Sequence, residues 1–186
     1  MSLRVSFELN ESDLKHFRLI MRAARKLASS RAPEEIVAGA EQLLGNIGTA
    51  DAPEFVLERL QKLRLLIQML SDIDWRLPHA DAKRVLQALA YFTEPNDLIP
   101  DHVPGLGFLD DAIMIELVVR ELRHEIEAYQ DFRDFRARED KALPRGQRQN
   151  RDKWLASRRE ELQSRMHRRR KKSGGGSTDG DPGLFR

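Results

Sequence analysis

Apolar side chains recur at three- and four-residue intervals through most of the chain, the period at which one face of an α-helix returns. Leu14, Phe17, Ile20, Met21, Ala24 and Leu27 form the first such face, with Asn10 or Ser12 placed to cap it. Ahead of them Val5, Phe7 and Leu9 alternate with polar residues, which fits a short extended lead-in. Pro33 with Glu34 and Glu35 opens a second helix, and Gly45 to Gly48 closes it. A third begins near Pro53, runs through Phe55, Val56, Leu57, Leu60, Leu63, Ile67 and Leu70, and is expected to stop before Pro78. The fourth carries Val85, Leu86, Leu89 and Phe92 from about Asp81. A fifth starts at Asp110 or Asp111 and continues through Ile115, Val119, Leu122, Ile126, Tyr129 and Phe132. The pattern predicts an all-α fold, a compact helical bundle.

Between the fourth and fifth helices the chain reads PNDLIPDHVPGLGFLDD (95–111). Pro95, Pro100 and Pro104 cannot continue a helix, Gly105 and Gly107 permit positive φ, and Asp110 is placed to accept from the first N–H groups of the helix that follows. Leu98, Ile99, Val103, Leu106, Phe108 and Leu109 give the stretch apolar anchors, so it fits a rigid corner between two antiparallel helices. A second reading takes Asp97, Asp101, Asp110 and Asp111 as hard oxygen ligands for a divalent cation or as acid/base groups, although the spacing matches no EF-hand.

Charge divides the chain into unequal parts. Residues 1–144 carry 19 basic against 25 acidic side chains, a net of −6, whereas residues 145–172 carry 12 against 3, a net of +9. The organisation expected is therefore an acidic helical body (1–144), a basic amphipathic arm (145–172) and a flexible tail, SGGGSTDGDPGLFR (173–186). In the arm Leu155, Leu162 and Met166 share one face beside Trp154, and arginines cover the remainder. Arg158, Arg159, Arg165, Arg168, Arg169, Arg170, Lys171 and Lys172 are the candidate anion-binding residues, for such clusters bind nucleic-acid phosphates and anionic headgroups by the same physics. Because the apolar stripe is narrow, the arm is expected to contribute little core.

The absence of cysteine removes disulfides, thiol nucleophiles and cysteine-based zinc sites, and no phosphate loop, HExxH or GxSxG occurs. The histidines, His16, His79, His102, His124 and His167, fall on different elements. No stretch approaches the roughly 20 apolar residues that span a bilayer, and no signal-peptide run follows the N-terminus, so a soluble, cytoplasmic protein is expected.

Residues 90–122, AYFTEPNDLIPDHVPGLGFLDDAIMIELVVREL, resemble the signature of the YkvA-like family of bacterial proteins of unknown function. Ala90, Tyr91, Pro95, Asp97, Leu98, Ile99, Pro100, Asp101, Pro104, Gly107, Asp110 and Asp111 fall on that signature, and VSFELNESDLKHF (5–17) resembles its longer members. His102 and Glu94 depart from it. The resemblance implies an all-helical unit around a helical hairpin and brings no catalytic residues.

Three function classes follow. The leading one is a non-enzymatic binding or adaptor protein, whose body makes protein contacts while the arm engages RNA, DNA or a ribonucleoprotein. The second is a peripheral membrane protein that sets the arm on anionic lipids with Trp154 at the headgroup level. The third is a metal-dependent enzyme built on the aspartates, and neither of the first two requires a cofactor.

Overall fold

A computed structural model describes residues 8–28, 30–48, 54–93, 108–142 and 148–175. They form seven α-helices: α1 (Glu11–Ala28), α2 (Pro33–Gly48), α3 (Glu54–Ser71), α4 (His79–Leu89), α5 (Leu109–Glu121), α6 (Arg123–Ala142) and α7 (Arg148–Gly175). A 3-10 turn, Ala90–Thr93, extends α4, and no strand occurs among the described residues. The helical period seen in the sequence thus becomes an all-α bundle. The lead-in at Val5 and Phe7 and most of the proline-rich corner, residues 94–107, lie outside the described residues.

Local chemistry fixes the helix starts. Asn10 Oδ1 accepts from the N–H groups of Ser12 (2.8 Å) and Asp13 (3.1 Å), while the Asp13 carboxylate accepts from Asn10 N (3.0 Å). This reciprocal cap satisfies donors that the first turn of α1 would leave unmet. Pro33 opens α2 as expected. Where α2 crosses the 3-10 turn, the helices come so close that a Cβ on Gly39 would lie 2.6 Å from Thr93 Cγ2 and 3.0 Å from its Cα.

One helix end meets the sequence expectation through a turn the sequence did not reveal, and one expected helix divides. First, α3 stops before Pro78 as expected, ending at Ser71, because Asp72 turns its carboxylate back on the chain and accepts from Asp74 N (3.0 Å) and Trp75 N (3.1 Å). Arg76 then adopts φ 46°, the left-handed region, and Trp75 is driven wholly inside, with ring centroids 5.7 Å from Tyr129 and 5.1 Å from Phe132. Tyr129 Oη donates to Asp72 Oδ2 (2.9 Å) and Arg136 donates to Asp72 Oδ1 (2.9 Å), so the turn is clamped from α6. Second, the expected fifth helix is two. Leu122 (φ −97°, ψ 19°) breaks it, although its N–H still reaches Val118 O at 2.9 Å and Ile126 N reaches Leu122 O at 2.9 Å. The break is a bend with the ladder nearly intact, and it lets α5 lie on α3 while α6 lies along α7.

One continuous core joins all seven helices: Met21, Ile36, Leu63, Leu66, Leu89, Ile115, Val118 and Phe132 are buried together. α7 belongs to it, since Leu155, Leu162 and Met166 are all buried. The expectation that this helix adds little core is therefore corrected: three side chains suffice when α6 supplies a facing groove. α7 also runs to Gly175, into residues that the sequence assigns to the tail.

Leu162→Ala is expected to cost about 2–5 kcal/mol, the range for a fully buried leucine, in chemical denaturation. A loss below about 0.5 kcal/mol would mean that α7 is not packed as described. Burial, reinforced by the bond to Asp72, pushes the Tyr129 hydroxyl up to about 12 from 10.0. With the folded value above the unfolded one, its contribution is complete below about pH 10 and disappears as pH rises through 12. Tyr129→Phe should remove that part of the alkaline decline in stability, measured by urea titration at successive pH values.

Candidate anion-binding surface on the last helix

The helix carrying the positive charge is held to an acidic body, and this decides which of its cations remain available. Arg158 donates to Glu161 Oε2 (2.7 Å), Arg159 to the Asp74 carbonyl (3.0 Å) and Arg169 to Glu127 Oε2 (3.0 Å), while Arg165 pairs with Asp131. Arg170 bonds two carboxylates at once, Asp81 Oδ1 (2.6 Å) and Glu125 Oε1 (2.8 Å). Five of the eight candidate cations thus have partners inside the fold. Arg168, Lys171 and Lys172 are exposed and meet no carboxylate among the described residues.

The clamp around Arg170 was not legible beforehand. Asp81 is 1% exposed and Glu125 0%. His167 Nε2 donates to Asp81 Oδ2 (2.7 Å), and Arg84 Nε donates to Glu125 Oε1 (3.3 Å). Burial pushes the Asp81 carboxyl up, but the bonds from His167 and Arg170 outweigh it and hold the group below the usual carboxylate range. Burial likewise pulls Arg170 down, and its two carboxylates more than restore it. The one available signal was the spacing of His167 and Arg170, three residues apart on a single helix face.

At its C-terminal end α7 meets the start of α6. Ser173 Oγ accepts from Arg123 (3.3 Å), stands 2.9 Å from His124 Nε2 and donates to the Arg169 carbonyl (3.0 Å). Arg123 Nε also donates to His124 Nε2, at 3.4 Å. Burial, then the neighbouring Arg123 charge, push the His124 imidazole below its ordinary value. This end of the bundle therefore combines unmatched positive charge with polar side chains that face water.

The aspartates of the corner are not assembled into view. Asp97 and Asp101 lie outside the described residues. Asp110 and Asp111 are buried in the first turn of α5, but the N-cap is Phe108 (φ −117°, ψ 20°), so the expected capping role of Asp110 is corrected: the helix starts earlier. Both carboxylates still sit where the helix dipole favours negative charge. Among the described residues no group of three or more His, Asp or Glu side chains could hold a metal ion.

Fold and surface define an all-helical protein with an internal charge clamp and an exposed cationic end. A family of proteins of unknown function (DUF1232) matches residues 84–117, from α4 across the corner into α5. The chain is also 35% identical over 80 residues to a Bacillus subtilis (strain 168) protein named "Uncharacterized membrane protein YkvA", an alignment covering 40% of this chain and 74% of that one. The chain belongs to the YkvA-like family. No solved structure matches it. The name of that relative overturns the expectation of a soluble, cytoplasmic protein. Among the described residues no helix is long and apolar enough to cross a membrane. Membrane association without such a helix leaves no hydropathy signature, so an argument from apolar stretches alone does not bear on it.

Asp81→Asn should lower stability by about 1–3 kcal/mol at neutral pH, as for lost hydrogen bonds between charged groups. Because the folded Asp81 carboxyl lies below 3.8, its contribution is present above that pH and lost as pH falls through the folded value. Denaturation curves of wild type and variant should converge as pH drops below about 4, and a constant gap down to pH 2 would contradict the clamp.

Proposed function

We propose that this chain is a non-enzymatic binding protein that associates peripherally with membranes through the exposed face of α7, its helical body remaining free for protein contacts. The observation that carries this is the set of cations the fold leaves unmatched, Arg168, Lys171 and Lys172, beside Arg123. The name of the YkvA relative supports it. So does position along the helix: at 100° per residue, Arg168 and Lys172 lie within about 40° of Trp154, which is 43% exposed. An indole and two cations on one side of a long helix suit an anionic interface, where the ring sits at headgroup level and the charges meet phosphates. Each surface cation contributes about 1 kcal/mol, so three give reversible rather than permanent attachment.

The nucleic-acid reading uses the same cations and is kept as an outcome of the test. Trp154 stands about 27 Å from Lys172 at 1.5 Å per residue, too far for stacking and phosphate contact on one nucleotide. With three of the eight candidate cations unmatched, any salt dependence should be limited to a log–log slope of about 2–3.

The experiment is flotation of the full chain with vesicles of neutral phosphatidylcholine, with and without an anionic lipid, at several salt concentrations. Binding is expected only with the anionic lipid, and replacing Arg168, Lys171 and Lys172 by Ala should weaken it about 100-fold. Folding should be unaffected, since these side chains are exposed. Equal binding by both proteins, or none by either, would overturn the proposal. Binding to RNA or DNA without vesicle binding would favour the nucleic-acid reading instead.

A further inference from the structure

Around α6 and α7, Arg136, Arg151, Arg165, Arg169 and Arg170 each pair with at least one carboxylate. Arg123 does not. Its described partners are neutral, His124 Nε2 at 3.4 Å and Ser173 Oγ at 3.3 Å, and both bonds are long. The nearby acids are engaged elsewhere, Glu127 by Arg169 and Glu125 by Arg170 and Arg84. A guanidinium, an imidazole and a hydroxyl from two helices therefore converge at the exposed end of the bundle with no anion among them.

We infer that Arg123, His124 and Ser173 form a binding site for a phosphomonoester, the doubly charged group of some lipid headgroups and of free phosphate. The inference rests on the peripheral-membrane reading for its biological setting and adds to it the chemical class of headgroup. The three side chains supply what the ligand needs. The guanidinium presents a fork of N–H donors matched to phosphate oxygens. Ser173 can turn its hydroxyl from the Arg169 carbonyl to the ligand. His124, beside a dianion, takes up a proton and becomes a donor at Nε2. Arg169, one turn earlier on α7, keeps Glu127 engaged, and α7 is held in register by the Arg170 clamp. A carboxylate or a phosphodiester carries a single charge and fewer free oxygens, so it fills fewer of these donors.

The test uses the full chain and two probes. Vesicles containing phosphatidic acid, a phosphomonoester, are compared with phosphatidylserine vesicles of equal surface charge. In parallel, inorganic phosphate is titrated while the His124 ring is followed by NMR. Wild type should prefer phosphatidic acid about tenfold or more, as expected for charge-assisted bonds that the other lipid cannot make. Arg123→Ala should erase the preference, and Ser173→Ala should reduce it with no change of charge; circular dichroism reports whether each variant is folded. Phosphate should raise the titration midpoint of His124, whose charged neighbours are Arg123, Glu125, Glu127 and Arg169. Equal weakening toward both lipids in Arg123→Ala would show charge attraction alone and overturn the site while leaving the membrane reading standing. A His124 ring unmoved by phosphate would overturn it as well. Movement of that ring without binding to any vesicle would sink the membrane reading and support the site as one for free phosphate.

Discussion

Two carboxylates removed from water control the arrangement of this protein. Asp81 on α4 and Glu125 on α6 are almost wholly buried, and an ionised carboxylate in that position is tolerated only if cations and donors surround it. The donors come from Arg84 and from a single helix, α7, through His167 and Arg170. That requirement ties the C-terminal helix to the body at one point, and Leu155, Leu162 and Met166 extend the tie along its length. Arg159, Arg165 and Arg169 add further bonds from α7 to the body, but only the clamp meets carboxylates that are removed from water. Together these contacts determine which face meets α6 and which meets water.

The same constraint converts a diffuse charge into a defined surface. The nine excess positive charges of residues 145–172 look like a uniform polybasic arm when counted along the sequence. In the fold Arg151, Arg165, Arg169 and Arg170 pair with acidic side chains of the body, which helps a body of net −6 and an arm of net +9 to coexist in one bundle. Of the candidate cations, those that reach solvent unmatched, Arg168, Lys171 and Lys172, lie at the last turns of α7, near Arg123 at the start of α6.

Much of the architecture was legible because helices announce themselves through local signals. The Asn10 cap, the Pro33 start and the apolar period of α3 and α7 act within a few residues, so sequence alone reveals them. What local signals do not reveal has the opposite origin. The turn after Ser71 depends on Tyr129 and Arg136 holding Asp72 from 57 and 64 residues away, and the bend at Leu122 contains neither proline nor glycine and serves the divergence of α3 from α7. The clamp pairs Asp81 with residues 86 and 89 positions later, a relation that no local spacing encodes. Of the candidate cations, their positions were legible but not their partners, and the partners decide which can act on a ligand.

The central claim is that α7 is an integral, clamped helix of the bundle and not a free arm. Native-state hydrogen exchange on the full chain tests it most directly. The account predicts that amides from about 155 to 170 exchange with protection comparable to α6 and that Asp81→Asn lowers protection in α7 more than in α3. Exchange of the α7 amides at the rate of an unfolded chain, while α3 and α5 stay protected, would contradict it.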